Sequence, residues 1–111
     1  MGMITTHVLD TSLGKPAAGM AITLEARRDG AWVGLADGIT GADGRLSGLT
    51  PDGVPPGHYR LSAGVREYFA AGGRSTLYGE AIVDFYLTEG DEHLHLPLLV
   101  SPYGWSTYRG S

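Results

Sequence analysis

The four histidines are the residues best suited to catalysis in this chain of 111 residues. His7 and His95 each lie in the middle of an alternating segment, beside apolar neighbours, where the pKa of an imidazole is open to tuning toward the working pH. Such an imidazole can act as a general acid or base. His58 follows a Pro-Pro-Gly turn and His93 begins a segment, so we expect both to be ordinary surface or hydrogen-bonded histidines.

A metal site is the alternative use of these side chains. His93 and His95 are two residues apart, which puts them on one strand face at a spacing that zinc ligands can have. Only Asp91 could join them from that face, and the chain has no cysteine. Because a lone His-x-His pair is a weak signal, we prefer metal-free catalysis and expect no metal and no other cofactor.

Arg45 is a further candidate because it directly follows an Asp-Gly turn. A guanidinium is planar and always charged, so it can grip a carbonyl-rich or anionic small molecule. The simpler interpretation is an exposed arginine beside the turn residue Asp43. The segment 108–111 (YRGS) is dense in hydrogen-bonding groups, and the chain has no Gly-x-Ser-x-Gly elbow, which argues against a serine acyl nucleophile.

Alternation and turn signals predict the elements that position these side chains. Strands are expected at 4–10, 20–28, 32–40, 45–49, 58–63, 80–88, 92–100 and 105–109, with a loop at 11–19 and a short helix at 65–71. Asp29-Gly30 is a strong hairpin signal. Many short strands between turns predict an all-β fold, an antiparallel β-sandwich.

The segment around His95 has two distinct faces. Four residues of one face are apolar and are expected in the core: Leu94, Leu96, Leu98 and Val100. The other face carries His93 and His95 together with Pro97 and Leu99. A face that is half polar and half apolar suits a cleft or a subunit interface better than open water.

Composition limits the possible functions. The 42% hydrophobic and 18% charged residues can build one core, and the length fits a single domain, 1–111. A net charge of −4 without a basic run argues against nucleic acid or an anionic membrane as a partner. No apolar run approaches the roughly 20 residues that span a bilayer, and no secretory signal pattern opens the chain, so we expect a cytoplasmic protein.

Three parts of the chain resemble the 5-hydroxyisourate hydrolase family, the transthyretin-related enzymes of purine catabolism. These parts are 4–10 (ITTHVLD) with 14–17 (GKPA), 42–45 (ADGR), and 95–102 (HLPLLVSP) running into 108–111 (YRGS). The resemblance covers nearly the whole chain. It implies a transthyretin-like β-sandwich of two four-stranded sheets with one short helix, assembled as a homotetramer. The sites would lie at the dimer–dimer interface, around a central channel.

The resemblance also implies an activity and a set of site residues. The activity is hydrolysis of 5-hydroxyisourate to 2-oxo-4-hydroxy-4-carboxy-5-ureidoimidazoline in urate degradation, by attack of water on a ring carbonyl. The catalytic residues would be His7, Arg45, His95 and Ser111, and substrate binding would use His7, Arg45, Tyr108 and Arg109. We favour His7 as water activator and His95 as proton donor, and the reverse assignment stays open.

Two other functions are compatible with parts of the chain. Residues 10–63 also suit the non-catalytic β-sandwich modules of carboxypeptidase-regulatory-like or adhesin-repeat type, which do not require His7, His95 or the YRGS segment. A transthyretin-like small-molecule carrier is the other alternative. By resemblance, the carrier has Lys, Glu and Thr where this chain has His7, Arg45 and His95, and it lacks YRGS, so the hydrolase is preferred.

Overall fold

Buried residues alternate with more exposed ones along the strands Met3–Asp10, Ala21–Arg28 and Ala81–Leu87. The computed structural model describes all 111 residues, as nine strands and one helix. In chain order they are β1 (Met3–Asp10), β2 (Lys15–Pro16), β3 (Ala21–Arg28), β4 (Ala31–Ile39), β5 (Arg45–Leu46), β6 (Gly57–Ala63), α1 (Val65–Ala71), β7 (Ala81–Leu87), β8 (His93–Ser101) and β9 (Gly104–Thr107).

The first sheet is built around β1. Strand β8 runs parallel to β1 along its whole length, from Met3 opposite His93 to Asp10 opposite Val100. Strand β9 pairs antiparallel with the far side of β8. The other edge of β1 is shared by β5 and β2, each two residues long.

The second sheet has the order β4-β3-β6-β7 and is antiparallel throughout. The predicted turn at Asp29-Gly30 is confirmed. Both residues have positive φ, 51° and 78°, which is the backbone of a tight two-residue hairpin. The sequence therefore specified this hairpin locally.

Two details of the first sheet differ from the sequence-based prediction. The β-sandwich of two sheets with one short helix is confirmed, but the first sheet contains five strands because Lys15–Pro16, expected in a loop, pairs with Leu9 and Asp10. Pro16 can occupy an edge because its missing N–H breaks no ladder there. The β1–β8 pair is parallel, whereas an antiparallel sandwich was predicted, because turn signals report only on strands that are neighbours along the chain.

The core lies between the two sheets. Leu94, Leu96, Leu98 and Val100 are all buried, as predicted. Helix α1 has the predicted bounds and buries Val65 and Phe69. At seven residues, this one helix lacks the length and apolarity to span a bilayer.

A buried carboxylate joins β1 to the helix region. Asp10 is fully buried and accepts hydrogen bonds from Ser12, from the Tyr68 hydroxyl at 2.8 Å and from the Arg74 guanidinium at 2.6 Å. Burial alone raises the pKa of Asp10, but the hydrogen bonds from Ser12, Arg74 and Tyr68 outweigh it and lower that pKa below its ordinary value. The fold therefore stabilises the ionised form of the Asp10 carboxylate.

This carboxylate predicts how stability depends on pH. Because the pKa of Asp10 is lower in the folded chain, its stabilisation is complete above about pH 5, where the carboxyl is ionised in the unfolded chain too, and is lost progressively as pH falls toward the folded-state value. Asp10→Asn should cost at least about 2 kcal/mol at pH 7 and flatten the fall in unfolding free energy between pH 5 and 3. Urea unfolding across that range measures both effects.

Asp52→Asn is the control, since this exposed turn carboxylate makes no ion pair. It should leave stability and its pH slope unchanged. An Asp10→Asn protein with the wild-type slope would contradict the assignment.

Candidate active site

Three of the four predicted catalytic residues line one cavity on the outer face of the first sheet. Arg45, His95 and Ser111 surround a space of about 290 Å³, together with Thr5, Thr6, Leu46, Ser47 and His93. The strand register explains the assembly. Thr5 on β1 lies opposite His95 on β8, and on the other side of β1 His7 lies opposite Arg45.

His7 lies beside this cavity without being part of its wall. Its side chain projects from the same face of β1 as Thr5, two residues further on. Its Nε2 is 2.8 Å from the carbonyl oxygen of Asp43. A carbonyl oxygen can only accept, so Nε2 carries the proton and Nδ1 of the neutral ring keeps its lone pair. His7 is thereby fixed in the tautomer of a base acting through Nδ1.

Arg45 is positioned by a tight turn against β1. The preceding Gly44 has φ of 78°, and a Cβ there would lie 2.3 Å from the carbonyl oxygen of Val8, so only glycine fits. The Arg45 amide donates to the Asp43 carboxylate at 2.9 Å. The Arg45 guanidinium makes no hydrogen bond or ion pair within the chain, which leaves its charge available to a ligand.

His95 is half-buried and kept neutral by its surroundings. Burial lowers the pKa of His95, and the positive charge of Arg45 lowers it further, as would the charges of His93 and His7 in their protonated forms. At neutral pH the ring therefore carries one proton, and its chemistry depends on which nitrogen holds it.

A threonine hydroxyl stands between the two histidines of β8. Thr5 Oγ1 is 2.8 Å from Nδ1 of His95 and 2.7 Å from Nε2 of His93. Sequence reasoning missed this arrangement and treated His93 as an ordinary surface histidine. The only signal was the His-x-His spacing, and the parallel register that brings Thr5 between the rings could not be deduced from it.

The C-terminal segment packs directly on His95. The Gly110 amide donates to the His95 carbonyl at 2.8 Å, and a Cβ at Gly110 would lie 2.6 Å from Cδ2 of the imidazole. Only glycine permits this approach. It delivers Ser111 to the cavity.

Tyr108 and Arg109 lie outside the cavity wall in the single chain. The Tyr108 side chain is exposed, and Arg109 donates to Asp91 at 2.7 Å. That hydrogen bond, with two further ones from Thr88, lowers the pKa of Asp91 to about 2. The contribution of Tyr108 and Arg109 to substrate binding stays a prediction.

Other parts of the surface offer less for catalysis. A larger depression of about 590 Å³ on the outer face of the second sheet contains Glu25, Asp37, Arg60 and Glu80 but no histidine. His58, on the same sheet, lies 2.5 Å from Asp84 and stacks on Tyr86, with ring centres 4.3 Å apart. Nowhere do three or more His, Asp or Glu side chains form a group able to hold a metal ion.

Comparison with known proteins places these observations in a family. The family model described as HIUase/Transthyretin matches residues 4–110. The 5-hydroxyisourate hydrolase of Caulobacter vibrioides is 42% identical over 118 residues, covering 100% of both chains. The solved 5-hydroxyisourate hydrolase of Klebsiella pneumoniae has a TM-score of 0.90 at 40% identity, again covering 100% of both chains. Sea bream transthyretin in complex with thyroxine has a TM-score of 0.91 at 31% identity, covering 96% of this chain and 93% of the other. With a family match over almost its entire length, this chain belongs to the HIUase/Transthyretin family.

Proposed function

We propose that this protein is a hydrolase that opens the ring of 5-hydroxyisourate in urate catabolism, without a metal or other cofactor. The observation that carries the proposal is the cavity in which an unpaired Arg45 faces a neutral His95, next to a His7 whose Nδ1 is free to take a proton. The full-length similarity to 5-hydroxyisourate hydrolases supports the same substrate.

The reaction can be assigned to these groups. His7 Nδ1 takes a proton from water as its oxygen attacks a ring carbonyl of the substrate. Arg45 holds the substrate oxygens and stabilises the negative charge that develops on the tetrahedral intermediate. His95 delivers a proton to the ring nitrogen as the C–N bond breaks. Ser111, on the same cavity wall, helps to orient an imidazole or the substrate.

A small-molecule carrier is the second candidate, because the chain also superposes on transthyretin bound to thyroxine. Carriage of a ligand needs no free base, no neutral imidazole at a cavity wall and no unpaired arginine. Since all three are found together here, hydrolysis accounts for more of the site than carriage does.

A homotetramer with sites at the dimer–dimer interface is part of the proposal, as is a cytoplasmic location. The outer face of β8 carries the buried Pro97 and the half-buried Leu99 around the site, and the exposed Tyr108 is adjacent. Strands β7 and β9 are edges with unpaired backbone groups, which a second copy could pair. Closing the sites between copies would also bring Tyr108 and Arg109 toward substrate.

Loss of either imidazole tests the proposed chemistry. His7→Asn and His95→Asn should each lower turnover of freshly prepared 5-hydroxyisourate by at least ~100-fold, because general acid–base catalysis contributes about 10²–10⁴-fold. The spectrophotometric assay must be corrected for spontaneous decay of the substrate. His58→Asn, on the opposite sheet, should be silent. Near-normal turnover in His7→Asn or His95→Asn would remove that residue from the mechanism.

The contact of Gly110 with His95 gives a second test. In Gly110→Ala the new Cβ would lie 2.6 Å from the imidazole and 3.1 Å from Cγ of Pro97, so the ring or the C-terminal segment must move. Because displacement of about 1 Å can cost 10²-fold in rate, we expect kcat/KM to fall by at least ~10-fold with little change in Tm. Gly79→Ala is the matched control, since no atom lies within 4 Å of its added Cβ. Equal activity in the two variants would show that the contact is dispensable.

The assembly has its own test. Light scattering at micromolar concentration should give a mass of four times the 11.7 kDa chain. Leu99→Glu on the outer face of β8 should shift the protein toward smaller species, because it would bury a charge between copies. Ile39→Glu, at an exposed apolar residue of the other sheet, should not. A stable monomer of the unaltered protein would contradict the proposed interface sites.

A further inference from the structure

The hydroxyl of Thr5 connects a half-buried histidine of the site to an exposed one. Nδ1 of His95 and Nε2 of His93 are both within 2.8 Å of the same oxygen, and both hydrogen bonds reach across from β1 to β8. His93 is exposed, and its Nδ1 has no partner in the chain. The three groups therefore form a continuous hydrogen-bonded chain along the cavity wall, which ends at the exposed Nδ1 of His93.

One hydroxyl can donate only one proton, and this couples the two rings. If His93 Nε2 donates to Thr5, the Thr5 hydroxyl keeps its own proton to donate to His95 Nδ1, and in that arrangement the proton of His95 lies on Nε2. If Thr5 instead donates to His93, it accepts from His95 Nδ1–H, and His95 Nε2 carries a lone pair. The single Thr5 proton thus links the protonation of His93 to which nitrogen of His95 carries a proton.

We propose that Thr5 and His93 form a proton relay behind His95, through which His93 supplies the proton that His95 delivers to the leaving nitrogen. This inference rests on the proposed hydrolase function. In one concerted step, a proton enters at His93 Nδ1 from solvent, and the Nε2 proton of His93 passes to Thr5. The Thr5 proton then passes to His95 Nδ1, and the Nε2 proton of His95 passes to the ring nitrogen.

The step balances, because each group gains one proton and loses one while the leaving nitrogen gains one. The relay also explains how a neutral His95 could act as an acid. Burial and the positive charge of Arg45 lower the pKa of His95 and disfavour its imidazolium form. A neutral imidazole is a poor acid unless its second nitrogen is protonated as the first gives up its proton. Thr5 and His93 are thus positioning residues that act through His95.

Four variants separate the relay from a structural effect. Thr5→Val keeps the shape and removes the hydroxyl, and Thr5→Ser restores the hydroxyl. His93→Gln keeps a polar group of similar reach that cannot titrate, and His58→Gln is the control on the other sheet. We expect kcat to fall at least ~10-fold in Thr5→Val and in His93→Gln, with KM within about twofold. Thr5→Ser should stay within about threefold of wild type, and His58→Gln should match it.

Two measurements would not change in the expected way if Thr5 and His93 served only to stabilise the structure. Free imidazole in the buffer should restore part of kcat to His93→Gln but not to Thr5→Val, because only the solvent end of the relay is missing in the former. In the free protein, ¹⁵N NMR should show the His95 tautomer changing as His93 is titrated, and this coupling should vanish in Thr5→Val. Wild-type kcat in Thr5→Val, or equal losses in Thr5→Ser and Thr5→Val, would overturn the relay.

The NMR measurement needs no substrate, so it is separable from the test of the proposed function. If the wild-type protein fails to hydrolyse 5-hydroxyisourate, the proposed function is wrong. A His95 tautomer that does not respond to titration of His93 overturns the relay, whatever the activity.

Discussion

The parallel pairing of β1 with β8 is the constraint on which the site depends. These strands are separated by most of the chain, and their ladder runs from Met3 opposite His93 to Asp10 opposite Val100. Because side chains alternate along both strands, one register decides two things together. It sends Ile4 and Val8 of β1, with Leu94, Leu96 and Leu98 of β8, into the core. It also sets Thr5 beside His95 on the opposite face. A slip of one residue would bury the imidazoles and expose the core.

The sequence predicted what depends on local pattern. The alternation around Leu94, Leu96 and Leu98 identified the buried face, and Asp29-Gly30 identified a hairpin. The helix was located because Gly72 and Gly73 end it. Long-range pairing left no comparable signal, so neither the parallel neighbour of β1 nor the edge strand at Lys15–Pro16 was anticipated.

In the site, too, local features could be predicted from sequence and long-range contacts could not. Individual residues could be named from their types and from family resemblance, and the structure places Arg45, His95 and Ser111 around one cavity. Their hydrogen-bond partners could not be named, because those partners come from other segments: Asp43 for His7, Thr5 for His95 and Gly110 for the His95 backbone. These partners decide protonation and orientation. Sequence therefore indicated which groups are chemically suited to catalysis, and the fold shows which hydrogen-bond partners hold each of them.

The two imidazoles differ in a way that follows from the elementary chemistry of their partners. His7 faces a backbone carbonyl, which can only accept, so its tautomer is fixed with the proton on Nε2. His95 faces a hydroxyl, which both donates and accepts, so its tautomer can reverse without any heavy atom moving. In the proposed mechanism one group removes a proton from water and another gives one to the leaving nitrogen, and the two rings differ in the corresponding way. The hydrogen-bond partner of each ring therefore favours His7 as the base and His95 as the acid. The carbonyl of Asp43 keeps Nδ1 of His7 free of a proton at the start of each turnover, as a base requires. The hydroxyl of Thr5 can return a proton to His95 after it has protonated the leaving nitrogen, as an acid requires.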